Sequence, residues 1–245
     1  MNINAIVATR MTSSRLPGKV LMDLAGKPAL VRLIERLKRS NYISQIIIAT
    51  TTNHTDDVVV ETAQSQGVLS YRGSEEDVLL RTVEAAEAND TDFIVQITSD
   101  CPLIDSQTID RVIERMLEHP YLDYVGNQLV RTFPLGFSVE VFRTKDLRQV
   151  EQTINDPVVR EHVSLYFYEQ PERYYLSNVE ASHFLHHPEY RLTLDTEEDY
   201  HLIKTIYETL HPVKPSFDLY DIIRYLQQNA GVRSMNQHVQ QKRAR

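Results

Sequence analysis

Cysteine occurs once in the 245 residues, as Cys101. An internal disulfide and a cysteine-built zinc site are both excluded, and so sparing a use of thiols fits a reducing cytoplasm. No stretch approaches the roughly 18 consecutive apolar residues of a membrane span. The opening Met1-Asn2-Ile3-Asn4 lacks the basic region and apolar core of a secretion signal. These absences set the expectation of a cytoplasmic protein with no membrane partner. Positive charge is also in deficit: 26 Lys and Arg stand against 34 Asp and Glu, a formal net charge of −8. A nucleic-acid partner calls for the opposite balance, so none is expected. The short basic tail, Gln240-Gln241-Lys242-Arg243-Ala244-Arg245, runs against that balance and reads as a solvated terminus with no assigned role. Glycine is missing where two common nucleotide loops need it. A Walker loop would require Gly at Ser13 and Ser or Thr at Val20, and a dinucleotide fingerprint needs three close glycines where only Gly18 is found.

With 42% apolar and 24% charged residues, the chain can bury a full core, as one large α/β domain or two small ones. Its organising stretch comes first. Residues 3–8 are an apolar run that stops abruptly and gives way to a long polar loop carrying Arg10, Arg15 and Lys19. A buried strand feeding a cationic loop at its C-terminal end is where an open α/β sheet receives an anionic ligand. Three cations with several backbone N–H groups suit a triphosphate; a merely solvated loop is the plainer alternative. Downstream, Leu30, Leu33, Ile34 and Leu37 form one helical stripe after Pro28. Residues 46–50 read as a strand buried on both faces, followed by a helix over about 56–66 and a short strand at 68–73. The acids of Ser74-Glu75-Glu76-Asp77 predict the first turn of the next helix. A fourth strand at 93–98 precedes a helix over about 106–118. Such alternation implies a parallel sheet covered on both faces, and the lack of a linker favours one domain over 1–245. Beyond it, 121–125 and 136–142 are strand-like, with helices from about 144 and over 158–168. Residues 174–179 suggest an antiparallel extension and 191–195 a brief strand. Thr196 starts a helix, and 218–227 is the last one.

Asp100 and Asp195 each stand at a strand end. Two acids from distant parts of the chain, meeting in one crevice, could clamp one or two metals; Mg²⁺ in nucleotide enzymes takes one or two carboxylates plus phosphate oxygens and water. The plainer reading of Asp100 is a helix cap or a solvated loop residue, and that of Asp195 an N-cap, although Thr196 could cap equally well. In Arg72-Gly73-Ser74 the glycine permits close approach to a flat base, or simply makes a turn. Glu140 would be costly to bury without a purpose. His162, in Arg160-Glu161-His162, could bind substrate, act as a base, or serve as a structural hydrogen-bonder. Cys101 has no activating neighbours in sequence and reads as a packing residue, and His186 and His187 as incidental.

Seven stretches then fall into a pattern: Ala8-Thr9-Arg10; Ser14-Arg15-Leu16-Pro17-Gly18-Lys19-Val20-Leu21; Arg72-Gly73-Ser74; Gln96-Ile97-Thr98-Ser99-Asp100-Cys101-Pro102; Val139-Glu140-Val141-Phe142; Arg160-Glu161-His162-Val163; and Arg191-Leu192-Thr193-Leu194-Asp195-Thr196-Glu197-Glu198-Asp199. In this order, over nearly the whole chain, they resemble the cytidylyltransferases that activate acidic sugars. That family includes acylneuraminate and 3-deoxy-manno-octulosonate enzymes, and its spore-coat polysaccharide branch is the nearest in pattern. The resemblance implies an α/β, Rossmann-like nucleotidyltransferase fold, a mostly parallel sheet with helices on both faces and an antiparallel extension. It implies transfer of CMP from CTP to a sugar hydroxyl with release of diphosphate, Mg²⁺ as cofactor, and a homodimer. Carried over residue by residue, Ala8, Thr9, Arg10, Ser14, Arg15, Lys19, Arg72, Gly73, Ser74 and Gln96 would bind the nucleotide. Arg10, Lys19 and Asp100 would serve catalysis, and Asp100 and Asp195 would hold Mg²⁺. Glu140, His162 and Tyr166 would face the acceptor, within a sugar-binding and dimerisation subregion over 121–190. The chain departs from the acidic-sugar enzymes in having Ala8-Thr9-Arg10-Met11-Thr12 for a Pro-Ala-Arg stretch with further glycines, and Ser99-Asp100-Cys101-Pro102 for a Gly-Asp-Glu-Pro pattern. Competing functions are a glycosyltransferase consuming a sugar nucleotide, which commonly carries Asp-any-Asp where this chain has Thr98 and Asp100, and a non-catalytic nucleotide-sugar sensor.

Overall fold

Alternation inside the first apolar run decides how the molecule is layered. In β1 (Ile3–Ala8), Ile3, Ala5 and Val7 pack into one buried cluster and Ile6 into another, so the strand is covered on both faces. The computed structural model describes residues 1–241 and sets β1 inside a seven-stranded sheet. Chain order continues with α1 (Ala29–Leu37), β2 (Gln45–Thr51), α2 (Asp57–Ser65), β3 (Leu69–Gly73), α3 (Val78–Glu87), β4 (Phe93–Thr98) and α4 (Ser106–Glu118). The second half adds β5 (Tyr124–Gly126), β6 (Glu140–Arg143), α5 (Thr144–Thr153), α6 (Pro157–His162), α7 (Leu165–Glu169), β7 (Leu176–Asn178), α8 (Glu197–Leu210), α9 (Leu219–Gln228) and α10 (Ala230–Arg233). One face carries the apolar stripes of α1, α4, α8 and α9; the other carries those of α3, α5, α6 and α7.

The strand order is β3-β2-β1-β4-β6-β5-β7. From β1 the chain moves outward through β2 and β3, then crosses to β4 on the opposite side. That reversal opens a crevice outside the C-terminal ends of β1 and β4, the place where doubly wound sheets bind ligands. The loops leaving β1 and β4 flank it. β6 is reversed, antiparallel to both β4 and β5, while the other pairings are parallel.

Several boundaries differ from the sequence-based expectation, each for a tertiary reason. Residues 74–77 are not helical: Asp77 caps α3 by accepting from Leu80 N at 2.9 Å, and Glu75 is drawn to Thr12 and Asn53. The helix expected over 158–168 breaks at Val163, which adopts φ +48° between α6 and α7. The extension near 174–179 is parallel to β5, and the antiparallel strand is β6 instead. The strand read over 136–142 is confined to β6, because residues 135–137 turn to meet 190–192 through Leu135 N to Tyr190 O (2.9 Å) and Leu192 N to Leu135 O (2.7 Å). Gly136 makes that approach possible: at φ +98°, a Cβ there would lie 2.4 Å from the Leu192 carbonyl oxygen. Residues 191–195 are extended with one bridging contact rather than a full strand. The helix read as last is followed by α10. Among the described residues no helix is long and apolar enough to cross a membrane. Lys242 and the rest of the basic tail lie outside the described residues.

Candidate active site

The cationic loop is fixed at both ends. Thr9 N donates to Ala49 O at 3.0 Å, and Met11 N donates to Asp56 Oδ1 at 2.8 Å. Asp56, buried after β2, also takes the hydroxyls of Thr50 and Thr51. Gly18 N reaches back to Met11 O at 2.9 Å with φ +71°, closing the loop, and a single 3-10 turn then carries Lys19. A left-handed residue at that point is natural for glycine.

Lys19 points into the crevice. Its Nζ lies 2.9 Å from Asp195 Oδ1 and 3.6 Å from Asp100 Oδ2. Arg15 reaches the same Asp195 oxygen at 3.0 Å. Asp100 leaves β4 with Oδ1 accepting from the Thr98 hydroxyl at 2.5 Å. The extended segment 191–195 is tied alongside it, with Leu194 N donating to Asp100 O at 2.8 Å. Residues separated by about a hundred positions thus face one another. Asp195 is only 3% exposed, and burial by itself would push its carboxyl up; Lys19 above all, with Arg15 and Arg191, instead holds it below the usual aspartate range. It is an ionised, buried carboxylate facing cations.

The other residues singled out from sequence are placed differently. Arg10 does not join the acids; it pairs with Glu75 at 3.6 Å. Thr9 is buried with its hydroxyl turned to Val7 O, and Ser14 is exposed on the loop, while Ala8 ends β1 opposite Thr98. The Arg72 guanidinium is taken up by Thr51 O, Asn53 O and Asp57, which fixes the β2–α2 connection. Gly73 lies beneath Arg81, whose Cγ a Cβ would meet at 3.0 Å, and Ser74 Oγ accepts from Asp77 N. Gln96 pairs with Ile6 and Glu140 in the sheet, and its buried Oε1 has no partner in the structure. Glu140 is buried and accepts from the Tyr124 and Ser164 hydroxyls at 2.7 and 2.5 Å; burial is the main cause that raises its pKa, against those two hydrogen bonds. His162 is exposed at the end of α6, and the Tyr166 hydroxyl accepts from Arg173 at 2.6 Å. Burial, then the neighbouring Asp100, push the Cys101 thiol up, so it stays protonated and fits the packing role.

A family model described as cytidylyltransferase matches residues 4–234. The chain belongs to the cytidylyltransferase family. This cytidylyltransferase is 34% identical over 230 residues to the spore coat polysaccharide biosynthesis protein SpsF of Bacillus subtilis, covering 91% of this chain and 93% of that one. It is 30% identical over 194 residues to the 3-deoxy-manno-octulosonate cytidylyltransferase of Trichlorobacter lovleyi, covering 69% and 76%. The solved structure of a cytidylyltransferase from Leptospira borgpetersenii superposes with a TM-score of 0.90 at 31% identity, covering 99% of each chain.

Sequence reasoning passed over several residues that shape the site of this cytidylyltransferase. Arg191 contacts both Asp195 and Asp199, with the three spaced by four. That spacing was the available signal, hidden because Asp199 also reads as a helix-capping acid. Asp56, Tyr124 and Ser164 carried no local signal. Among the described residues no group of three or more His, Cys, Asp or Glu is arranged to hold a metal alone. Asp100 and Asp195 nonetheless fit a divalent ion. Both carboxylates already converge on one ammonium, and the hard oxygen donors Mg²⁺ prefers are the ones they offer, with phosphate oxygens and water to complete the set.

Proposed function

We propose that the protein transfers CMP from CTP to a hydroxyl of an acidic sugar of the nonulosonic type. Diphosphate is released, and the product serves synthesis of a surface or spore-coat polysaccharide in the cytoplasm. The single observation supporting this most is the meeting of Lys19, Arg15, Asp100 and Asp195 at the switch point of the sheet. The names of the relatives support the acidic-sugar class. In the reaction the acceptor hydroxyl oxygen attacks the α-phosphorus in line and releases its proton to solvent, and the bond from that phosphorus to the oxygen bridging to the β-phosphate breaks. Lys19 and Arg15 bind the triphosphate and offset charge that grows on the departing diphosphate, which is positioning and electrostatics rather than covalent chemistry. Arg10 joins them once released from Glu75. Asp100 and Asp195 would hold Mg²⁺, which when bound supplies further positive charge against the phosphate oxygens. The resemblance assigns Gln96, Arg72, Gly73 and Ser74 to the nucleotide and Glu140, His162 and Tyr166 to the acceptor.

The test is diphosphate release from each of four nucleoside triphosphates across a panel of nonulosonic acids. Release that requires both CTP and an acidic sugar is expected. Release of a nucleoside diphosphate from a sugar nucleotide would replace this reading with glycosyl transfer, and binding without turnover would replace it with a sensor. A second copy of the chain is proposed to pair along 121–190. β7 ends the sheet, and beside it Tyr121 and Tyr175, 63% and 68% exposed, meet edge to face at 6.1 Å. A single-chain mass by light scattering at micromolar concentration would reject that pairing.

A further inference from the structure

Three cations share Asp195, and they are not equivalent. Lys19 and Arg15 come from the loop that borders the crevice and both contact Oδ1. Arg191 approaches from the other side and contacts Oδ2 at 3.2 Å. Arg191 is itself gripped: Nε and Nη2 each lie 2.8 Å from the two oxygens of Asp199, which is fully buried, and Nη1 donates to Gln241. Asp199 also accepts from the Asp195 and Thr196 backbone N–H groups and from Asn236 Nδ2 at 2.7 Å. A second bond from Asn236, 3% exposed, goes to the Arg191 carbonyl at 2.9 Å.

We infer that Arg191 is a positioning residue for the transfer reaction. It holds Asp195 Oδ2 inward so that Oδ1 faces the crevice, and the segment after α9 locks it there through Asn236. The terminal torsion of an aspartate is broad, so a carboxylate held from one side alone swings. When a triphosphate arrives, its oxygens draw Lys19 and Arg15 away from Oδ1. Arg191 stays, because its own charge is already balanced by Asp199 in a two-pronged contact. A lysine in its place keeps the charge but cannot grip Asp199 with two coplanar donors while also reaching Asp195. This inference rests on the proposed function.

The experiment compares wild type, Arg191→Lys and Asn236→Ala in the full chain. It reads Mn²⁺ affinity by electron paramagnetic resonance at saturating CTP without acceptor, then kcat and KM for CTP, with melting curves to confirm folding. Arg191→Lys is expected to weaken Mn²⁺ binding and lower kcat by about 10–100-fold, the usual effect of losing a group that orients a metal ligand. KM for CTP should change by less than about threefold, with kcat taken per folded protein; a smaller folded fraction would lower apparent kcat alone and leave Mn²⁺ affinity unmoved, so the affinity carries the distinction. Asn236→Ala should shift Mn²⁺ affinity in the same direction by a smaller factor. Folded Arg191→Lys with Mn²⁺ affinity within about twofold of wild type overturns the inference. If Arg191→Lys does not fold, Asn236→Ala decides, and an unchanged affinity there overturns it equally. A wild-type protein with no CTP-dependent diphosphate release points instead at the proposed function, which keeps the two failures apart.

Discussion

Lys19→Met separates what the cationic loop does for a ligand from what it does for the fold. The ammonium sits 2.9 Å from Asp195 and 3.6 Å from Asp100, on a side chain 11% exposed. Methionine keeps the unbranched stem and fills the same space, so the packing of the loop persists. Losing a hydrogen bond to a charged group costs about 1.5–3 kcal/mol. Asp195 retains Arg15 at 3.0 Å and Arg191 at 3.2 Å, which places the loss at the lower end of that range. At about 1.5 kcal/mol the melting temperature of a chain this long falls by about 3–6 °C. The transition state has no equivalent substitute. Removing one preorganised donor from developing charge costs about 2.7–4 kcal/mol, a factor of about 10²–10³. A coupled diphosphate assay with CTP should therefore show kcat/KM down about 100–1,000-fold while scanning calorimetry shows a modest shift. A kcat/KM within about threefold of wild type would refute the electrostatic role, and a Tm loss beyond about 12 °C would make Lys19 a structural support instead.

Asp100→Asn should lower turnover by about 100-fold or more with the fold retained, since one of two converging carboxylates is lost; a near-normal rate rejects its role. Asp195→Asn tests pH dependence. Because Lys19, Arg15 and Arg191 hold the carboxyl below its ordinary value of 3.8 despite burial, its stabilising effect is complete above about pH 4 and is lost as pH falls through the folded pKa. The variant should flatten the acid limb of a Tm-against-pH curve below about pH 4, and an unchanged limb contradicts the assignment. Gly136→Ala places a methyl 2.4 Å from the Leu192 carbonyl oxygen at φ +98°. It should cost about 3 kcal/mol, a Tm loss of at least about 6 °C, and a loss under about 2 °C would show that the segment yields.

Legibility of the fold followed the length of each periodic signal. β1, β2, β4, α1 and α4 carry unbroken apolar patterns and lie where those patterns put them. The misread elements are those settled by distant partners. Residues 74–77 look like an acidic first helical turn, yet Glu75 is taken by Thr12 and Asn53. Residues 158–168 keep helical spacing through Val163, but the backbone turns there and Ser164 bonds to Glu140. In the crevice, the meeting of Lys19, Asp100 and Asp195 could be anticipated because all three leave strands or extended segments at one end of the sheet. The Arg10–Glu75 pair could not, since it depends on how two loops lie across one another. Arg191 escaped notice because its partners at 195 and 199 double as ordinary helix-start acids.

β6 runs opposite to its neighbours, and this changes how the crevice is assembled. Around β1 and β4 the crevice is lined by chain that has just left a strand. Beside them it is lined by chain about to enter one, for Glu140 is the first residue of β6 and pairs with Gln96. The stretch that delivers it, residues 127–139, is pinned at its base by Asn127, whose side chain bonds Val139 N at 2.9 Å and Phe137 O at 2.7 Å. Within residues 128–131, the part of this stretch that is not buried and precedes the 135–137 contact with 190–192, insertions and deletions would redraw the Glu140 side of the cleft without disturbing the register of β1 and β4. The half around Lys19, Asp100 and Asp195 and the exposed turn on the Glu140 side can therefore diversify at different rates, within a single continuous sheet.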